Sequence, residues 1–241
     1  MKLLDWTLPT PAQNLAADEA LLDWCEARDG VEVLRFWEAA EHFVVVGYAN
    51  DVATEVNVSA CAARGVPIFR RCSGGGTVLQ GPGCLNYTLV LRIHPRGPTC
   101  SIAATNKFVM ERNAVALNSE LGTRNSELAV RGHTDLVLDG VKFSGNAQRR
   151  KRRCLLFHGT ILLGLDLALI EELLPMPSRQ PAYRQNRTHA GFVRNLSLAA
   201  TAVKRSLRVA WLADEPFELP PMSAVEDLVA QKYSRREWTF R

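Results

Sequence analysis

No stretch of the chain approaches the roughly 18 consecutive apolar residues that a membrane-spanning helix needs. The N-terminal MKLLDWTLPTPAQN carries one Lys, then an Asp and a Pro where a secretory signal would be unbroken and apolar. The six cysteines (Cys25, Cys61, Cys72, Cys84, Cys100, Cys154) form no CxxC pair and no Cys/His set with zinc spacing. Scattered thiols in a chain of this size read as reduced residues, and the expected location is cytoplasmic. There is no internal repeat, low-complexity tract or evident linker, so residues 1–241 are expected to form a single domain.

What is there is ordinary in amount and uneven in placement. Apolar residues make up 47% and charged residues 22%, which excludes a wholly disordered chain. The net charge is +4, from 29 Lys and Arg against 25 Asp and Glu. Between Lys142 and Ala213 stand 13 basic residues against 3 acids (Asp166, Glu171, Glu172), leaving 16 basic against 22 acidic elsewhere. An anionic ligand or partner should meet that basic segment first.

Periodicity and punctuation predict helices over 14–26 (capped by Asn14), 58–65 (closed by Gly65), 101–121 (stopped by Gly122) and 165–175 (ended by Pro175). Two more are expected near 197–208 and 223–233. Strand-like runs cover 31–38, 42–48, 67–71, 77–80, 84–93, 127–130, 134–145 and 154–163, with Asp139-Gly140 as a hairpin turn. The strands come as hairpin-like neighbours rather than in strict βαβ alternation. The expected fold class is α+β, with mixed, largely antiparallel sheets flanked by helices.

Three short stretches carry chemistry. In Arg70-Arg71-Cys72-Ser73-Gly74-Gly75-Gly76-Thr77, a glycine triplet between strands lets backbone N–H groups turn toward an anion, though a bare triplet is equally a hairpin corner. Arg70 and Arg71 lie on opposite faces of a strand, so only one of them can point at that ligand. No GK[ST] follows and no helix opens there, which excludes a Walker loop and a dinucleotide fingerprint. The second stretch runs from Asp135 through Lys142-Phe143-Ser144-Gly145-Asn146, where a lone Lys would ordinarily be a solvated edge residue. The third is His158-Gly159-Thr160, in which a single His before Gly is by itself more often structural.

Taken in order, RR-x-SGGGTV, DL-x3-G-x-K-x-SGNAQ and HGT-x-LL resemble the catalytic domain of the lipoate–protein ligase family, within the biotin and lipoate ligase fold group. NLAADEALL (14–22) resembles that family's opening helix, and LVAQKYSRREW (228–238) resembles the close of its catalytic domain. The resemblance implies attachment of lipoate, or its octanoyl precursor, to one Lys of an acceptor lipoyl-domain protein. A 2-oxoacid dehydrogenase subunit or a glycine-cleavage carrier protein would be such an acceptor. It implies ATP and Mg²⁺, an acyl-adenylate formed first, and transfer to the acceptor second. Lys142 is then the catalytic cation between carboxylate and α-phosphate. Gly74, Gly75 and Gly76, with Ser73, Thr77 and Arg70 or Arg71, would hold phosphate and carbonyl oxygens. Asp135 would help hold Mg²⁺ on the nucleotide. Ser144, Gly145, Asn146, His158, Gly159 and Thr160 would surround the adenylate. Val44, Val46, Val78, Leu79 and Phe143 are candidates for the acyl tunnel and equally for core.

The chain departs from the pattern in two places. Related octanoyl transferases carry the acyl group on a Cys without ATP. One class has it in a Pro-Cys-Gly turn, where this chain reads Leu174-Pro175-Met176-Pro177; another has it just before the Lys motif, where 127–134 holds none. Gly81-Pro82-Gly83 echoes a transferase turn, with Gln80 in place of a His, which keeps a transferase as the alternative. A non-catalytic lipoate-binding protein on the same fold is the second alternative. Bacterial-type ligases also carry a small accessory domain after the catalytic one, and the resemblance here ends at Trp238. The domain is expected to be lacking from this chain, and a separate small protein to be one way of supplying it. The run Arg149-Arg150-Lys151-Arg152-Arg153 by itself reads as a solvated loop; the resemblance implies a sharper use, steering an acidic acceptor or neutralising a triphosphate. No aromatics interleave with it, which argues against nucleic acid; no membrane partner is expected.

Overall fold

The computed structural model describes residues 1–28, 31–122, 128–217 and 222–241. In chain order the elements are β1 (Lys2–Asp5), α1 (Pro11–Ala27), β2 (Val33–Trp37), β3 (Phe43–Val46), α2 (Val52–Glu55), α3 (Val58–Arg64), β4 (Ile68–Arg70), β5 (Val78–Gln80) and β6 (Cys84–Arg92). There follow α4 (Ile102–Leu121), β7 (Leu128–Arg131), β8 (Asp135–Leu138), β9 (Val141–Arg150), β10 (Cys154–Leu162), α5 (Ala168–Leu173), α6 (His189–Phe192), α7 (Ala200–Ala210), β11 (Glu215–Pro216), α8 (Met222–Leu228) and α9 (Arg236–Thr239).

Two sheets carry the fold. The larger has eight strands in the order β11-β1-β2-β6-β10-β9-β8-β7; β11, β1 and β2 run parallel and the other pairings are antiparallel. The smaller is β4-β3-β5, with β3 parallel to β4 and antiparallel to β5. This is the mixed, largely antiparallel α+β architecture expected from the hairpin-like pattern.

Several boundaries move for physical reasons. Helix α1 starts at Pro11, because Thr10 accepts from the Gln13 N–H and Gln13 reaches back to the Thr10 N–H. Asn14 is therefore no cap: it is 1% exposed and joins Leu8, Thr10 and Arg35 by hydrogen bonds. Strand β1 is short, and its pattern escapes the sequence reading. The Asp139-Gly140 turn is present, both residues at positive φ (53° and 76°) between β8 and β9. Strand β9 runs on to Arg150, so the first two cations of the basic run lie in a strand and only the next three turn toward β10. The stretch before Pro175 is helical only over Ala168–Leu173. The last predicted helix widens into a π turn at Val229–Tyr233. Of the strand predicted at 127–130, Glu127 lies outside the described residues.

Alternation along the strands gives the larger sheet two different faces. Leu34, Phe36, Leu85, Leu89, Leu155 and Phe157 point one way and pack with α4 and α7 into a core containing Val109, Met110, Leu117, Val203 and Leu207. At about 25 cal/mol per Å² of apolar area, this burial is the main source of stability. Arg35, Trp37, Asn86, Thr88, His158 and Thr160 point the other way, toward α1 and the smaller sheet, and there the site lies.

Candidate active site

Between the two sheets lies a cavity of about 620 Å³, a size that suits a small-molecule ligand. Its floor is the polar face of β6, β10 and β9. The smaller sheet supplies Val45, Val78, Leu79 and Gln80, and a segment from Pro175 to Val193 supplies Arg179, Arg184 and Phe192.

The glycine loop closes one end. Gly47 at the end of β3 lets it do so, since a Cβ there would lie 2.0 Å from the Gly75 carbonyl oxygen. Gly75 itself sits at φ 85°, a conformation that side chains rarely adopt. The loop carbonyls are held from below: Arg71 donates from Nη2 to the Gly74 and Gly76 oxygens at 2.6 and 2.7 Å. Its other bonds also go to neutral oxygens, Ser73 Oγ and the Val45 carbonyl. Burial without a carboxylate partner pushes the Arg71 guanidinium down to about 10, so it stays charged at neutral pH. A buried cation bonded only to neutral oxygens is a strong attractor for an anion.

Arg70 does not belong to the site. Its guanidinium donates to the carbonyls of Gly47, Tyr48 and Asn50 at 2.8, 3.0 and 2.7 Å, and to those of Trp238 and Thr239. It anchors the C-terminal segment against the β3 loop. Ser73 and Gly74 also lie off the cavity wall, Ser73 being fully buried.

Ser73 nevertheless reaches the site through His158. Its Oγ is 2.5 Å from His158 Nε2, and His158 Nδ1 is 3.1 Å from Asp18 Oδ2. Asp18 Oδ1 accepts from Arg35 Nη1 at 2.6 Å, both groups being buried. Burial alone would push the Asp18 carboxyl up; the Arg35 charge and the His158 hydrogen bond outweigh it and hold the group below its ordinary value. Asp18 and Arg35 escaped the sequence reading. The available signal was an Asp amid apolar residues on the inner face of a helix.

Lys142 comes from β9. Its Nζ lies 2.7 Å from Asp135 Oδ1 and over Gly145, where a Cβ would lie 2.9 Å from it. Tyr183 donates to Asp135 Oδ2 at 2.7 Å. The Lys142 carbonyl accepts from the Arg194 N–H, which ties the 175–194 segment to this strand. That segment carries no motif, and only its excess of arginines marked it in the sequence.

Ser144, Gly145 and Asn146 line the cavity, and Asn146 also ties the framework together. Asn146 accepts from Tyr87 Oη and donates to the Thr134 carbonyl and to Ser144 Oγ. Gly159 makes room for it, since a Cβ there would lie 1.6 Å from Asn146 Oδ1. Thr77, Gly159 and Thr160 line the cavity. Val78 and Leu79 do too, whereas Val44, Val46 and Phe143 are core.

The one carboxylate on the cavity wall near Lys142 is, among the described residues, Asp135; alone it is no all-protein metal site, but it fits the single carboxylate that a nucleotide-borne Mg²⁺ takes. Asp135 holds Lys142 on one oxygen and accepts from Tyr183 on the other. Among the described residues no group of three or more His, Cys, Asp or Glu side chains is placed to hold a metal. None of the six cysteines lines the cavity; Cys72 and Cys84 are buried, which pushes each thiol up to about 12.

The description "lipoyl protein ligase A/B catalytic domain" matches residues 10–211. The chain belongs to that family. An octanoyltransferase LipM of Brevibacillus brevis is 25% identical over 96% of this chain and 95% of its own length. A protein of Aeropyrum pernix carrying the provisional name lipoate-protein ligase A is 32% identical over 71% of this chain and 61% of its own. In fold, the chain superposes on a bipartite lipoate protein ligase of Thermoplasma acidophilum with a TM-score of 0.81 at 21% identity, covering 99% of this chain and 95% of that one. Among the described residues, no helix is long and apolar enough to cross a membrane.

Proposed function

We propose that this lipoyl ligase-family protein activates lipoate or octanoate with ATP and passes the acyl group to a Lys of an acceptor lipoyl domain. The observation that carries the reading is the pairing of two cations, Arg71 and Lys142, across a cavity lined by none of the chain's thiols. Two anions, a carboxylate and an α-phosphate, must approach each other, and fixed positive charge between them lowers that barrier. Arg71 is buried and pre-positioned, so it costs little reorganisation. Lys142 is held by Asp135, which keeps its ammonium directed at the cavity. The carboxylate oxygen attacks phosphorus and pyrophosphate leaves. The acceptor amine then attacks the acyl carbon and AMP leaves. His158, fixed by Asp18 and Ser73, presents its ring edge to the same cavity.

A second reading has its own support. Full-length relatives are named octanoyltransferases, and transfer from an acylated carrier would need no ATP. It would need a nucleophile on this chain or direct attack by the acceptor, since the buried thiols are poor candidates. One incubation series separates the two. Acceptor domain is supplied with ATP, Mg²⁺ and free acid, or with acylated carrier protein and no ATP, and its mass is read. Modification in the first condition alone supports the ligase; modification in the second alone replaces it with the transferase. Modification in neither supports a binding protein or a missing accessory subunit, and adding the latter distinguishes those.

A further inference from the structure

Three side chains from different parts of the fold meet behind the glycine loop: Asp18 from α1, His158 from β10 and Ser73 from the loop itself. Their connectivity is that of a carboxylate, a base and a nucleophile. Their burial is not. Ser73 is fully buried and lies off the cavity wall, so its Oγ is closed to an acyl carbon in the cavity.

Proton placement gives the chain a different direction. Arg35 keeps Asp18 ionised, and a carboxylate only accepts, so His158 donates to it from Nδ1. On the neutral ring this assigns the tautomer and leaves Nε2 as an acceptor. Ser73 gives its one proton to Nε2 across 2.5 Å. The Ser73 lone pairs are then left for Arg71, whose Nε donates to Oγ at 3.2 Å. Each group therefore donates to the next, from Arg71 to Ser73, His158 and Asp18, and Arg35 donates to Asp18 from the far side. His158 Nε2 is thus occupied and is no free base for an incoming amine.

At the cavity end the chain acts on Arg71, which lines the wall. A guanidinium is planar, so anchoring one edge orients the whole group. Ser73 Oγ and the Gly74 and Gly76 carbonyls hold the edge formed by Nε and Nη2. Nη1 has one longer contact, 3.4 Å to the Val45 carbonyl, and is the nitrogen left for an anion. The same chain ties the glycine loop to the larger sheet, because Ser73 belongs to the loop and His158 to β10.

We infer that Asp18, His158 and Ser73 form a positioning chain for Arg71, and not a nucleophile with its base. This rests on the reading of Arg71 as a cation that meets the carboxylate or the phosphate of the substrates.

The test is a double-mutant cycle on ligand affinity, with ATP and octanoate titrated separately into the full chain by calorimetry. Arg71→Met identifies which of the two ligands Arg71 meets. Ser73→Ala removes the last link without touching the cavity wall. His158→Asn breaks the same link while an amide N–H replaces the Nδ1–H toward Asp18. Each should weaken that ligand by about five- to tenfold, and the two together by about twofold at most beyond either alone. In the Arg71→Met background Ser73→Ala should weaken it by about twofold or less, because the chain acts through Arg71. Thermal unfolding checks that each variant is folded, and His158→Asn takes the place of Ser73→Ala in the cycle if the latter is not. Equal losses with and without Arg71, or no loss in either background, overturn the inference and leave Arg71 as a ligand contact. An acyl ester on Ser73, sought by mass spectrometry after incubation with acylated carrier protein, also overturns it. If Arg71→Met weakens neither ligand, the reading of Arg71 itself fails, and the inference with it.

Discussion

The two faces of the eight-stranded sheet are built from the same strands, yet they bury opposite kinds of side chain. On the α4 and α7 side, β10 presents Leu155, Phe157 and Ile161, all at most 1% exposed, to other apolar groups. On the α1 side the same strand presents His158 and Thr160, with Arg35, Asp18 and Asn86 buried beside them. The first face earns stability from area alone. The second spends it: each buried polar group must find a partner, as Asp18 does in Arg35 and His158. A period of two along each strand therefore separates what holds the protein together from what it works with.

The largest expected effect tests the working face. Lys142→Ala should lower acyl activation by about 10²–10³-fold or more, read as ATP–pyrophosphate exchange, because a preorganised charge at the reacting centre is lost. Thermal unfolding should show a folded protein. Activity within a fewfold of the original would remove Lys142 from the chemistry.

Asp18→Asn comes next and tests the cost of that face. It leaves Arg35 charged and buried without its counter-ion, and a loss of about 3–5 kcal/mol is expected in urea unfolding. The sign of the pH dependence follows from the depressed Asp18 carboxyl. Such a group stabilises the fold above its unfolded value of about 3.9, and that stability is lost as pH falls from there through the folded value. Unfolding curves taken between about pH 6 and 3 should fall more steeply on acidification in the original protein than in Asp18→Asn. Parallel curves would show that Asp18 is not held ionised by its partners. Leu155→Ala, on the apolar face of β10, should cost about 2–5 kcal/mol and leave turnover per folded molecule unchanged. A changed turnover would mean that the two faces are not separable.

The adjacent arginines sharpen the comparison within one loop. Arg70→Met removes the donor for five carbonyl groups and should lower stability by about 3 kcal/mol, or roughly 6–12 °C in Tm for a chain of this size. Arg71→Met should lower Tm less and weaken binding of ATP or free acid by about tenfold or more, measured by calorimetry. The reverse pattern would exchange their roles.

Much of this was legible in the sequence, and the parts that were not share a cause. Gly65, Gly122 and Asp139-Gly140 marked their boundaries because the signal is local: a positive φ that few residues tolerate. Alternation along a strand already said that Arg70 and Arg71 must part company, but which one faces the ligand depends on Gly47 admitting the glycine loop, 28 residues away from Gly75. Arg35 lies in no motif, and Asp18 stands unremarked inside the opening-helix stretch 14–22; their meaning comes from a strand and a helix that meet only in three dimensions. Asn146 was legible as a wall residue from its motif, but not its tie to Tyr87, Thr134 and Ser144.

The smallest effect concerns the basic run, where the structure reduces a five-charge patch. Arg149 lies over the Tyr48 ring and reaches the Cys72 carbonyl, while Arg150 donates to the Thr99 carbonyl and Thr105 Oγ1. Lys151 pairs with Asp23, and Glu26 accepts from the backbone N–H groups of Arg152, Arg153 and Cys154. These partners build the end of a hairpin, and Asp23 and Glu26 offset part of the charge. The exposed Arg152 side chain still adds to the field that an acidic acceptor meets. Long-range attraction of this kind acts on encounter and is screened over about 10 Å at 0.1 M salt. Arg152→Ala should therefore raise KM for an acidic acceptor domain by only about two- to threefold at low salt, with kcat unchanged and the difference gone near 0.5 M. An effect that persists at high salt would place Arg152 in direct contact with the acceptor, and its turn would then belong to the working side of the molecule.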